Sequence, residues 1–173
     1  MTLRIAAAEL SKVFVHARET YPEECCGFLI GVAGPPHEVR EVRRASNVHP
    51  DRRDIRYTVD PREQLMLEMA LRGTDRVIVG FYHSHPDHPG VPSAFDVERS
   101  WPEYSYLVVE VRRGTPVSAR SFRIDSERGI VAEEKVARIR PKRRGPPRAG
   151  RPHGKVKRAG RARVAKRARA RLR

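Results

Sequence analysis

The chain has 173 residues, with 36 Lys and Arg against 21 Asp and Glu and a formal net charge of +15. That length suits one ordinary domain with a real hydrophobic core, and no apolar stretch approaches the roughly 18 residues that a membrane-spanning helix needs. The two cysteines are adjacent (Cys25, Cys26), a spacing that argues against a framework disulfide and for a reduced, intracellular protein.

The N-terminus, MTLRIAAAELSKVF, lacks the charged-then-apolar-then-cleavage plan of a secretory signal, so a cytoplasmic location is expected. Leu3-Arg4-Ile5 suits a short strand. From Ala7 to about Thr20, apolar residues at Leu10, Val13, Phe14 and Ala17 make a helical stripe. Cys25 to Val32 and about Glu38 to Val48 read as two strands joined by a turn at Gly34-Pro35-Pro36, and Arg56 to Val59 as another strand. If the strand already runs at Glu24, Cys26 shares its face and Cys25 the opposite one. A cysteine ligand is conceivable there, but a small buried hydrophobe is the commoner role. Asp60-Pro61 is an N-cap with proline at the first helical position, opening a helix that runs to about Arg72 and stops at Gly73. Val77 to Tyr82 reads as a strand buried on both faces. Further strands are expected near 104–112 and 117–124 around the turn Arg113-Gly114, and a last strand or short helix near 129–137. Interleaved strands and a few helices give an α/β (α+β) fold, with helices packed on a curved, mostly antiparallel sheet.

The run Gly80 to Asp96, GFYHSHPDHPGVPSAFD, carries the chemistry. Side chains alternate along a strand, so His83 and His85 project to the same side and can grip one small cation. Pro86 cannot donate to a sheet ladder and ends the strand. A stiff loop, Asp87 to Pro92, then leads to Ser93-Ala94-Phe95-Asp96, a helix start with Ser93 at the N-cap. Taken singly, each element has a commonplace reading: a surface histidine, or a capping box alone. Taken together, they bring two histidines and an aspartate to one point, and with one water these make a four-coordinate, open zinc site. The capping role of Ser93 and a metal role for Asp96 are compatible, because the helix terminus holds the carboxylate in place.

His83-Ser84-His85-Pro86, six residues, then Ser93-Ala94-Phe95-Asp96 resembles the motif of the JAMM metalloproteases, the catalytically competent MPN+ class. That family needs an upstream acidic residue, and Tyr21-Pro22-Glu23-Glu24-Cys25-Cys26-Gly27 is similar to its upstream stretch. Aligned on Gly27, the residue in the catalytic position is Glu24. Trp101 to Val109 further resembles the short bacterial and archaeal members, and the likeness runs over about residues 3 to 137 with no departure at a metal or catalytic position. The resemblance implies an MPN-like fold, Zn2+ held by His83, His85 and Asp96, and Glu24 as general base. Bound zinc lowers the pKa of water from about 15.7 towards ~7. A base within hydrogen-bond reach takes the proton, and Ser93 is the candidate oxyanion donor. The implied substrate is a ubiquitin-like or sulfur-carrier protein with a C-terminal glycine tail, cut at a peptide or isopeptide bond.

The excess charge sits at one end. Residues 141–173 hold 15 Lys and Arg and no Asp or Glu, which leaves 21 basic against 21 acidic residues in 1–140. Val156, Val164 and Leu172 are the only branched aliphatics of that segment, so the expected organisation is a JAMM/MPN+ domain over 1–140 and a disordered basic tail over 141–173. Such a tail attracts nucleic acid or acidic surfaces without sequence preference. Three classes compete: a zinc hydrolase, a non-catalytic MPN scaffold and a basic-tailed nucleic-acid-binding protein. A scaffold predicts a missing ligand, and nucleic-acid binding does not explain the spacing from Gly80 to Asp96. The hydrolase accounts for both.

Overall fold

The computed structural model describes residues 1–139. The expected tail, 141–173, lies outside the described residues. The elements run β1 (Thr2–Ala6), α1 (Ala7–Thr20), β2 (Cys26–Val32), β3 (His37–Ala45), α2 (Pro61–Leu71), β4 (Val77–Pro86), α3 (Ala94–Glu98), β5 (Ser105–Arg112), β6 (Thr115–Asp125) and β7 (Ile130–Ile139). The strands form one closed barrel in the order β1-β3-β2-β4-β5-β6-β7. Antiparallel pairings join β2 to β3 and β4, and β6 to β5 and β7. Parallel pairings join β4 to β5 and β1 to both β3 and β7. The α+β class and mostly antiparallel pairing are as expected. Closure comes from β1 and β7, at opposite ends of the domain, which pair from Thr2↔Lys135 to Ala6↔Ile139.

Alternation along the strands sorts the core into two clusters. Leu29, Tyr82, Leu107 and Val109 join the α1 stripe of Leu10, Val13 and Ala17. Phe28, Phe81, Tyr106 and Val108 join Leu67 of α2. Strands buried on both faces read as continuous apolar runs, as IVGFY of β4 and YLVV of β5 do. Cys25 belongs to the first cluster and Cys26 to the second, so the two thiols face opposite ways. Burial pushes the Cys25 thiol up to about 12 and the Cys26 thiol up as well. Both are therefore neutral, small core hydrophobes and poor candidates for ligands.

Two local features differ from expectation. β3 stops at Ala45, and residues 56–59 form no strand beyond the isolated bridge Asn47↔Val59. The reason is a side chain. Asn47 Nδ2 donates to the carbonyls of Glu24 and Arg56, and its Oδ1 accepts from the amides of His49 and Thr58. Backbone groups that a ladder would satisfy are satisfied by one amide instead. The ambiguous segment near 129–137 is a strand, β7.

β4 is held between β2 and β5, and at Gly80 it has no room for a side chain against β5. A Cβ at Gly80 would run into the carbonyl oxygen of Ser105, its register partner. Gly80→Ala should therefore destabilise the fold by about 2–3 kcal/mol, measured by urea denaturation; a variant as stable as the wild type would contradict this packing.

Candidate metal centre

β4 delivers His83 and His85 to one face at its end, as strand alternation requires. Beyond Pro86, the chain turns at Asp87 with φ 55°. Asp87 is clamped there: its amide donates to the Val111 carbonyl (2.7 Å), and its carboxylate accepts from the Arg113 amide and the Tyr21 hydroxyl. This turn brings Ser93 back to open α3 with a complete capping box. Ser93 N and Oγ both donate to Asp96 Oδ2 at 2.6 Å, which fixes the carboxylate and leaves Oδ1 facing His83.

The three side chains converge. His83 Nε2 lies 3.0 Å from His85 Nε2 and 3.3 Å from Asp96 Oδ1, and His85 Nε2 lies 3.6 Å from Asp96 Oδ2. Ligand atoms of all three fit within 4.8 Å of one another. His85 Nδ1 lies 2.8 Å from the Pro89 carbonyl oxygen, which can only accept, so Nδ1 carries a proton and in the neutral ring Nε2 presents a lone pair. Lone-pair donors crowded into a buried space repel one another unless a cation sits among them. Two imidazoles and a carboxylate are a zinc-type set with room for a further ligand. On that ground the residues fit a zinc ion.

Glu24 lies just before β2, with Oε1 4.0 Å from His85 Nε2. Ser84, between the two histidines, points to the other face and grips this segment: its amide donates to the Cys25 carbonyl, and its Oγ accepts from the Cys25 amide. The backbone of Glu24 is tied on both sides, its amide to the Arg53 carbonyl (2.6 Å) and its carbonyl to Asn47. At 4% exposed, Glu24 loses its hydration. That burial, against a lowering pull from His85 and with a smaller raising push from Asp96, brings its carboxyl up to about 8. Burial alone would raise Asp96 too, but His83, His85 and Ser93 overcome it and hold that carboxyl well below the usual range. Two carboxyl groups that both border His85 are thus pushed in opposite directions, one towards a fixed anion and one towards a proton carrier.

All five residues singled out in the sequence (Glu24, His83, His85, Ser93 and Asp96) come together. Sequence reasoning missed three further participants. Tyr57 stacks on His83 with ring centroids 4.4 Å apart and planes 23° apart. Asn47 anchors the irregular segment that carries Tyr57, and the Pro89 carbonyl orients His85. Periodicity carries no signal for any of them, because each acts through contacts made by a loop. Beside Asp96 opens a cleft of about 440 Å³, walled by Tyr57, Phe81, Trp101, Tyr104 and Tyr106.

A sequence model of the prokaryotic homologues of the JAB domain matches residues 6–125. The chain belongs to this family, the prokaryotic type of the JAMM/MPN proteins. It is 40% identical over 111 residues to desampylase of Haloferax volcanii, covering 61% of this chain and 78% of the relative. It is 35% identical over 135 residues to CysO-cysteine peptidase of Mycobacterium tuberculosis, covering 78% of this chain and 89% of the relative. A solution structure of a Desulfitobacterium hafniense protein superposes with a TM-score of 0.71 at 30% identity, covering 82% of this chain and 95% of that one. The expected family membership and the single MPN/JAB-like α+β domain are both found. With peptidase and desampylase among its relatives, this JAB-domain chain is a hydrolase. No helix among the described residues is long and apolar enough to cross a membrane.

If the convergent donors hold zinc, the purified protein should bind about one ion per chain. His83→Ala with His85→Ala should lose it by metal analysis, and full occupancy in that double variant would refute the assignment.

Proposed function

We propose that this chain is a zinc-dependent JAMM peptidase that cuts the bond following the C-terminal glycine tail of a ubiquitin-like or sulfur-carrier protein. The observation that carries this reading is the convergence of His83, His85 and Asp96 within 4.8 Å, with Glu24 4.0 Å from His85. The names of two relatives, desampylase and CysO-cysteine peptidase, support the substrate class. The aromatic-walled cleft beside Asp96 offers the substrate a place next to these groups.

In this mechanism His83, His85 and Asp96 hold the ion, which when bound supplies Lewis-acid activation of water and carbonyl. Glu24 takes a proton from the attacking water at its carboxylate and later delivers it to the leaving amine. Burial raises that carboxyl to about 8 in the metal-free chain, and a cation held by His83, His85 and Asp96 would favour the carboxylate form that takes the proton. Ser93 donates its hydroxyl to the developing oxyanion; before substrate arrives that hydroxyl donates its hydrogen bond to Asp96 Oδ2. The Pro89 carbonyl and the capping box keep His85 and Asp96 from turning away while charge shifts between these groups. A cytoplasmic setting is supported by the two free, buried thiols.

Glu24→Gln should keep zinc and fold yet lose nearly all turnover on a Gly-Gly-tailed substrate, because the amide cannot carry the proton. Ser93→Ala should lose on the order of 10²-fold in kcat. Wild-type turnover by Glu24→Gln in a steady-state assay would rule the mechanism out.

We further propose a domain boundary near residue 140, with 141–173 acting as a sequence-blind electrostatic tether to nucleic acid or acidic surfaces; its 15 cations and lack of carboxylates support this. Removing 141–173 should leave cleavage of a small substrate unchanged and abolish the salt-sensitive binding of the full chain to DNA or RNA in a filter assay. Polyanion binding that survives the truncation would place the basic site on the folded domain instead.

A further inference from the structure

The two histidines of the centre are supported in different ways. His85 has the usual outer partner, a backbone carbonyl on Nδ1 that fixes both the tautomer and the ring angle. His83 has none: it is fully buried, and its Nδ1 is without a hydrogen-bond partner among the described residues. Its backbone is fixed by pairing with Cys26 on one side and Val108 on the other. Those ladders set where the side chain starts and leave the rotation of the ring about its last bond unset. His85, tilted at 53°, does not clamp that rotation either.

The face of the His83 ring is covered by Tyr57. The centroid separation of 4.4 Å and near-parallel planes are those of a stacked pair. Tyr57 can serve as a rigid plate only if its own backbone is held, and it lies in an irregular segment. The Asn47 amide supplies the hold, bonding the Arg56 carbonyl and the Thr58 amide on either side of Tyr57, and Val48 N donates to the Thr58 carbonyl at 2.8 Å. The same Asn47 bonds the Glu24 carbonyl. One side chain therefore anchors both the segment that carries the stacked ring and the backbone of the residue beside His85.

We propose that Tyr57 is the positioning residue of His83, its stacked ring fixing the imidazole plane in place of the hydrogen bond that Nδ1 lacks. This rests on the reading of His83 as a metal ligand. A fixed imidazole plane keeps the Nε2 lone pair aimed at the point where His85 and Asp96 converge; a free one swings it away and weakens the grip on the ion. The plate is the ring and not the hydroxyl, so phenylalanine should serve as well as tyrosine. An aliphatic side chain of similar bulk should not.

The test measures zinc affinity on the full chain by competition with a chromophoric chelator, for wild type, Tyr57→Phe, Tyr57→Leu and His83→Ala, alongside the urea midpoint of each metal-free protein. Tyr57→Phe should bind zinc within about twofold of wild type. Tyr57→Leu should bind about tenfold more weakly, in the range that loss of an outer-shell partner produces, with an unchanged metal-free midpoint. Wild-type affinity in Tyr57→Leu, with His83→Ala losing zinc, would overturn the proposal and leave the metal centre standing. Wild-type affinity in His83→Ala would overturn both. Equal weakening by Phe and Leu would assign the effect to the hydroxyl and likewise overturn it. Should Tyr57→Leu fail to fold, Tyr57→Met takes its place with the same reading of each outcome.

Discussion

Strand β4 is buried on both faces and hydrogen-bonded along both edges, antiparallel to β2 and parallel to β5. The histidines at its end therefore start from fixed backbone positions and cannot retreat into solvent. Bringing two imidazole nitrogens to 3.0 Å in a water-poor space is costly unless something positive is shared between them. Ladder hydrogen bonds and apolar packing of the two core clusters hold that arrangement, since none of its own polar contacts would assemble it alone. The close approach at Gly80 belongs to the same constraint, because it allows β5 to lie against the strand that carries His83 and His85.

Around this fixed pair, the remaining groups are set by short-range devices of different kinds. Asp96 is held by a helix cap, so one carboxylate serves both the first turn of α3 and the centre. His85 is held by a loop carbonyl, Glu24 by backbone ties on either side, and His83 by an aromatic face. Burial acts on all of them at once. It raises Glu24, lowers His83, and leaves Asp96 an anion only because several donors converge on it. Low dielectric strengthens each remaining contact, which is why a few hydrogen bonds suffice to separate the behaviour of neighbouring carboxyl groups.

The irregular stretch between β3 and α2 shows how a loop becomes part of such a centre. A strand there would have pointed alternate residues to opposite faces and spent its amides on a neighbour. Instead, one asparagine closes the loop on itself, and the chain carries Tyr57 across His83. Asp87 does similar work after β4. Its left-handed backbone and three hydrogen bonds reverse the chain within the few residues available before Ser93.

Local physics wrote much of this into the sequence. Alternation places His83 and His85 on one face, Pro86 ends the strand, Ser93 and Asp96 cap a helix, and Asp60-Pro61 starts another; each depends on neighbours a few residues away. The helical stripe of α1 and the apolar runs of β4 and β5 were legible for the same reason. Glu24 was legible only through family resemblance, because its distance from His85 is set by β2 lying beside β4 and by Ser84 gripping Cys25, contacts far apart in the chain. Barrel closure, the loss of a strand at 56–59, and the stack of Tyr57 on His83 were decided by tertiary structure alone. Closure joins the two ends of the domain, and the other two turn on which partner a backbone amide or a ring finds in three dimensions, which no local pattern of residues encodes.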